Sequence, residues 1–94
     1  MKAYVIAADT VHDAAMMSEY GKVVAATLVP FEGKFLVRGG KCSVLEGEWQ
    51  PRTVILEFPD RAAAEGWYRS ADYQKIIGLR LNSASGNLAI IDGI

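Results

Sequence analysis

Two charged side chains interrupt otherwise apolar segments, and these are the first candidates for chemistry. Arg38 ends the run KFLVR, and Glu57 lies within TVILEF. A guanidinium group can bind a carboxylate or an enolate, and a nearby carboxylate can orient the ligand or accept its proton. If the two segments pair as a hairpin, the expected register places Arg38 diagonal to Glu57 on one face of the sheet. The alternatives are a structural ion pair and a contact between subunits.

His12 is a second candidate for proton transfer. It is the single histidine of the chain, and histidine is the side chain that ordinarily titrates near neutral pH. Its place between the first strand and the first helix is compatible with a general base, and the alternative is an exposed loop residue. The sole cysteine, Cys42, is either a nucleophile or a plain strand thiol. One cysteine and one histidine do not make a structural zinc site. We expect neither a metal nor an organic cofactor.

Four aromatic residues occur on predicted inner helix faces, namely Tyr20, Trp67, Tyr68 and Tyr73. They either line an apolar ligand pocket between helices and sheet or belong to the core with their polar ends satisfied at its edge. Arg80 shares the helical stripe of Tyr73. It either closes a ligand pocket or pairs with an acidic residue of a partner subunit, and we favour the pairing.

The elements that position these residues alternate along the chain. Strands are predicted over 4–8, 34–38, 53–58 and 87–92, and residues 42–45 are a candidate continuation of the second strand. Helices are predicted from the Asp13 cap to Pro30, from Arg61 onward, and over 73–80. The order β-α-β-β-α-β is typical of the ferredoxin-like α+β fold, a four-stranded antiparallel sheet with helices on one face. We predict a single domain over residues 1–94.

The predicted strands are apolar on both faces. Hydrophobic residues make up 51% of the chain, and an antiparallel sheet with one wet face normally alternates apolar and polar residues. Here the runs YVIAA, TVIL and LAII are nearly continuous. The simplest cover for the face without helices is a second copy of the chain, so we predict a homodimer packed sheet against sheet.

Charge and hydropathy exclude several classes of partner. The formal net charge is −1, and no basic stripe is present to bind nucleic acid. No apolar run approaches the length of a membrane span, and the N-terminal segment lacks the pattern of a signal peptide. We therefore expect no nucleic-acid or membrane partner and a cytoplasmic location.

Several longer segments carry a resemblance to a known family. They are AYVI near the N-terminus, Glu19-Tyr20, GKFLVRGG at 33–40, VLEGEWQPR at 44–52, VILEFP at 54–59, WYRSADY at 67–73, and Arg80. Over essentially its whole length the chain resembles the domain-of-unknown-function family numbered 1330, within the dimeric α+β barrel superfamily. The resemblance implies the ferredoxin-like fold and pairing as a dimeric α+β barrel. Met17 stands where the family typically has a tyrosine, so a function resting on that hydroxyl is not expected here.

Two functions follow from these observations. Related barrels include cofactor-free monooxygenases, lactone isomerases and haem enzymes, which makes an enzyme the first hypothesis by analogy. It would act without a cofactor on a small oxygenated organic molecule, with Arg38 binding an anion and His12 or Glu57 moving a proton. The alternative is a non-catalytic small-ligand-binding or accessory dimer.

Overall fold

The fold is an antiparallel sheet with three helices packed on one face, described for residues 1–94 by a computed structural model. The strands are β1 (Ala3–Val11), β2 (Lys34–Arg38), β3 (Arg52–Phe58) and β4 (Ala84–Asp92), and the helices are α1 (Ala14–Leu28), α2 (Arg61–Arg69) and α3 (Ala71–Leu81). A 3₁₀ turn at Val29–Phe31 follows α1. The strand order β2-β3-β1-β4 confirms the predicted α+β, ferredoxin-like topology.

Each helix begins at a side chain that accepts a hydrogen bond from an otherwise unpaired backbone N–H group. Asp13 accepts from Met16 N at 3.0 Å, Asp60 from Ala63 N at 2.8 Å, and Ser70 Oγ from Tyr73 N at 3.2 Å. Such caps stabilise a helix start by about 1 kcal/mol. Ser70 also ends α2, so the chain turns there and α2 and α3 are separate helices.

The first strand is longer than its apolar run. The sequence predicts a strand over 4–8, whereas β1 continues to Val11 because β4 pairs with it as far as Ala84. Asp9 is therefore not a strand terminator. It lies inside the sheet, on the same face as Val5 and Ala7, since side chains two residues apart point the same way.

The second strand is shorter than the longest prediction. Residues 42–45 are not a strand, and the candidate continuation is wrong. Gly39 adopts a left-handed conformation with φ 67° and donates its N–H to Thr53 O at 2.8 Å. This turn takes the chain out of the ladder with β3. Residues 41–51 form an exposed loop in which Leu45 is 91% exposed.

The two faces of the sheet have different surroundings. The inner face packs against the helices around Val5, Leu56 and Phe58, each of them buried. The open face carries no helix and presents apolar side chains, among them Ile6 and Ile91. None of the helices combines the length and the apolar character that crossing a bilayer requires.

Candidate functional site

The expected pairing of Arg38 with Glu57 does not occur. Lys34 lies opposite Glu57, but a one-residue bulge between Phe35 and Val37 shifts the register, and Arg38 lies opposite Val54. Because alternate residues of a strand point to opposite faces, this single-residue shift moves Arg38 to the inner face and leaves Glu57 on the open face. The predicted register is wrong for two reasons: Glu57 pairs with Lys34 at the opposite end of β2 from Arg38, and the bulge puts the Arg38 and Glu57 side chains on different faces.

Glu57 belongs to the open face and pairs with lysines. Its carboxylate lies 2.7 Å from Lys2 Nζ and 3.7 Å from Lys34 Nζ. The hydrogen bond from Lys2 is the main cause that lowers the pKa of Glu57. His12 is exposed, and its backbone N–H donates to Ser83 O at 2.8 Å. Neither residue lines the small cavity between the sheet and the helices, so their catalytic roles stay predictions.

A small cavity lies between the inner face of the sheet, α1 and α3. Its volume is about 30 Å³, which is room for about one or two water molecules. Its apolar lining includes Val5, Ala7, Val24, Val54 and Leu56, and its polar lining is Asp9, Tyr20, Arg38, Arg52 and Arg80. A larger ligand requires side chains to move. We call this space the inner cavity.

The inner cavity contains a buried ion pair. Arg80 Nη2 donates to Asp9 Oδ1 at 2.9 Å, and Asp9 and Arg80 are only 1% and 7% exposed. Two further atoms of the pair, Asp9 Oδ2 and Arg80 Nε, have no hydrogen-bond partner in the protein. Leaving buried polar atoms unpaired is costly. The pair thus offers one free acceptor and one free donor beside apolar walls.

The position of Asp9 depends on its two neighbouring strands. Asp9 lies opposite Arg52 in β3 and opposite Gly86 in β4. A Cβ atom at Gly86 would clash with the carbonyl oxygen of Ala8 and with the Asp9 carboxylate. Glycine at this position therefore makes room for the acid.

Sequence reasoning missed Asp9 and Arg52 as site residues. Arg80 was expected to pair with an acid of a partner subunit, which is wrong, because its acid is Asp9 of the same chain. Two features of the sequence could have predicted the Asp9–Arg80 pair. Asp9 continues the inward spacing of Val5 and Ala7, and Arg80 lies on an apolar helical stripe. Two opposite charges that both point into one core are expected to pair.

The tyrosines form a second polar contact at the edge of the ion pair. The hydroxyls of Tyr20 and Tyr73 are 3.0 Å apart, and Trp67 packs on Tyr73 with ring centroids 4.1 Å apart. Trp67 Nε1 donates to Thr27 Oγ1 at 2.9 Å. Tyr20 and Trp67 line the inner cavity. Tyr73 and the half-buried Tyr68 do not line it, and their rings pack against the ring of Trp67. The aromatic cluster is therefore both core and cavity wall.

Two arginines lie at the outer side of the inner cavity. Arg38 Nη2 donates to Gly21 O at 2.6 Å, and its guanidinium carbon lies 4.2 Å from the centroid of the Phe35 ring. The Arg52 side chain packs near Gly39. Neither arginine has a carboxylate within ion-pair distance. Three arginines and one aspartate give the cavity lining a formal charge of +2, in a chain whose net charge is −1.

Two other groups lie outside this arrangement. Cys42 is an exposed free thiol in the loop 41–51. No three histidine, cysteine, aspartate or glutamate side chains gather in a geometry that would hold a metal ion.

We predict that Tyr20 and Tyr73 remain protonated until alkaline unfolding. Burial is the main cause that raises the pKa of both hydroxyls above the ordinary value of 10.0. Their contribution to stability is therefore complete below the unfolded pKa and is lost as the pH rises above it. Alkaline melts of the wild type and of a Tyr20→Phe/Tyr73→Phe variant measure this, with a shallower loss of stability expected for the variant. Tyrosinate absorbance from these two residues near pH 10 in a fully folded protein would contradict the assignment.

The fold is shared with solved structures of low sequence identity. A protein of unknown function from Rhodopseudomonas palustris superposes with a TM-score of 0.78 at 17% identity, covering 99% of this chain and 82% of the other. A dimeric ferredoxin-like protein of unknown function from Jannaschia sp. gives 0.67 at 15% identity, with 99% and 100% covered. SnoaB, a cofactor-independent oxygenase from Streptomyces nogalater, gives 0.67 at 12% identity, with 99% and 93% covered.

At these identities the likeness establishes the fold alone. Among curated proteins none matches the chain. The family described as "Domain of unknown function (DUF1330)" matches residues 2–94, which confirms the resemblance drawn from the sequence motifs. The chain therefore belongs to the DUF1330 family.

Proposed function

We propose that the protein binds a small, partly apolar, oxygenated organic molecule in the inner cavity and moves a proton on it without an organic cofactor. The observation that carries this proposal is the pair of free atoms, Asp9 Oδ2 and Arg80 Nε, beside an apolar lining. An apolar pocket with a few convergent polar groups is the usual form of a small-molecule site.

The proposed chemistry uses Asp9 as a general base. Its free oxygen accepts a proton from a hydroxyl or from a carbon next to a carbonyl, and the electron pair moves onto the substrate oxygen. The Arg80 Nε–H then stabilises that oxygen anion, an interaction that is strong in a site shielded from water. Because burial raises its pKa, Tyr20 remains a neutral hydroxyl beside the pair. Return of the proton to another carbon completes an isomerisation.

The neighbouring folds lend limited support to catalysis. SnoaB is described as a cofactor-independent oxygenase, and an enolate is a species that such chemistry can use. Its 12% identity carries no residue assignment to this chain. Measuring oxygen uptake together with proton exchange therefore distinguishes an oxygenase from an isomerase.

A non-catalytic binding protein is the second candidate. It is favoured because Asp9 Oδ1 already accepts a hydrogen bond from Arg80 Nη2, which leaves only one carboxylate oxygen free. The small volume of the inner cavity points the same way, because ligand entry needs rearrangement. The same residues then bind the molecule and no turnover follows.

We also propose that the protein is a homodimer that buries the open face of its sheet. Ile6 and Ile55 lie opposite each other on that face, with Ala89 opposite Ile6 on the other side and Ile91 further along β4. An antiparallel sheet whose open face is apolar is expected to bury that face against another surface. The Jannaschia protein with the same fold is described as dimeric.

We predict that an Asp9→Asn variant binds the ligand but does not exchange its acidic proton. A thermal-shift screen of small carboxylates, lactones and quinones supplies the compounds. For each stabilising compound, nuclear magnetic resonance in deuterated water measures proton exchange, and an electrode measures oxygen uptake. The variant keeps the shape of the acid and removes the base. It also leaves Arg80 without a charged partner, so circular dichroism first establishes that it folds.

The matched control is Asp72→Asn, which changes an exposed aspartate on α3 and is expected to exchange at the wild-type rate. Stabilisation by a compound without exchange in the wild type would reject catalysis and leave the binding protein. Equal exchange in wild type and Asp9→Asn would reject Asp9 as the base.

We predict that Ile55→Asp separates the dimer and leaves the fold intact, whereas Leu56→Asp unfolds the chain. The two positions are adjacent but point to opposite faces, and Leu56 is 3% exposed in the core. Light scattering at micromolar concentration measures the mass, and circular dichroism measures the fold. A folded Ile55→Asp protein with the mass of the wild-type dimer would contradict the use of the open face.

A further inference from the structure

We infer that the ligand of the inner cavity is a carboxylate with a single negative charge and an apolar body, and that Arg38 and Arg52 bind its carboxylate. The inference rests on the proposed function and adds the chemical class of the molecule. Four features carry it: the positions of the two arginines, their missing counter-charges, the acid deeper in the cavity, and the contacts that hold Arg38.

The strand register places both arginines at one end of the inner face. Arg38 in β2 lies opposite Val54 in β3, and Arg52 is two residues from Val54 on the same face. Diagonal neighbours of this kind have Cβ atoms about 7–8 Å apart or less, within reach of long side chains. Both side chains line the inner cavity. Two guanidinium groups at this separation can bind the two oxygens of one carboxylate.

Arg38 and Arg52 form no ion pair within the chain, unlike two other arginines. Arg80 pairs with Asp9, and Arg61 Nε lies 2.7 Å from Asp92 Oδ1. Arg38 and Arg52 have no acidic partner, although Arg52 is partly buried. With Asp9 included, the lining still carries a formal charge of +2, so an anion beside the two arginines is electrostatically favoured.

The rest of the inner cavity limits the anion to one charge. Asp9 is buried deeper in the same space, so a second negative group on the ligand would lie near a carboxylate. Asp9 lies opposite Arg52 in the β1–β3 ladder, and the rest of the lining beside the two arginines is apolar, with Val54, Leu56 and Phe35. A phosphate or a dicarboxylate does not match a lining of apolar side chains that also contains an acid. A monocarboxylate with a hydrocarbon or aromatic body does.

Arg38 also has to change its contacts when the ligand enters. Its hydrogen bond to Gly21 O links β2 to α1, and its guanidinium covers Phe35. A backbone carbonyl is a neutral acceptor, and a carboxylate forms a stronger, charge-assisted bond with the same group. The ligand carboxylate therefore replaces the carbonyl, and the displaced side chain opens the cavity beyond its present volume.

The experiment compares an acid with its neutral analogue of similar shape. Benzoate and benzamide are titrated into the full-length protein, and amide and indole signals in nuclear magnetic resonance spectra report binding at the cavity, with Trp67 as the internal marker. We expect benzoate to bind and benzamide to bind at least about tenfold more weakly, from the loss of charge-assisted bonds. Arg38→Gln and Arg52→Gln are each expected to weaken benzoate by about tenfold and to leave benzamide unchanged.

Arg69→Gln is the matched control, because Arg69 is exposed on α2 and does not line the inner cavity. It is expected to bind benzoate as the wild type does. Equal binding of acid and amide at the cavity, unaffected by either arginine variant, would overturn the carboxylate inference and leave cavity binding standing. Failure of both probes to perturb Trp67 would overturn the inference, and a hit from the thermal-shift screen would still support the proposed function with a ligand of another class.

Discussion

The arrangement of the inner face depends on the burial of one ion pair, Asp9 with Arg80. Breaking such a pair by removing one partner typically costs about 3–5 kcal/mol, a large share of the total of about 5–15 kcal/mol for a small domain. The pair joins β1 to α3 across the core. It is also incompletely satisfied, because one oxygen and one nitrogen lack partners. A purely structural pair would be better served by full pairing, so this cost is the main physical reason to regard the inner cavity as a site.

Two local irregularities of the sheet separate the charges into two environments. The bulge between Phe35 and Val37 turns Arg38 inward, and Glu57 remains outside with its lysine partners. Gly86 leaves space for the Asp9 carboxylate where any side chain would collide with it. The inner face thus gathers positive charge around one acid, and the open face stays largely apolar. We propose a small anion as the ligand of the inner face and a second copy of the chain as the cover of the open face.

The fold could be predicted from sequence because local signals agreed with one another. The cap at Asp13 and the helix start at Arg61 were both predicted, and the structure confirms them. The site was harder because strand register decides it, and a bulge of one residue reverses the face of every later side chain. No residue within the segment KFLVR predicts that bulge. Asp9 was missed because an aspartate after an apolar run is typical of a strand end, whereas pairing with β4 extended the strand past it.

We propose that the free atoms of the Asp9–Arg80 pair bind the ligand. The most direct measurement is the nuclear magnetic resonance signal of the Arg80 Nε–H group while a compound that stabilises the protein is added. We predict that this signal shifts on saturation and is protected from exchange with water, while that of Arg61 on the surface is unchanged. A bound compound that leaves the Arg80 signal where it was would contradict the account.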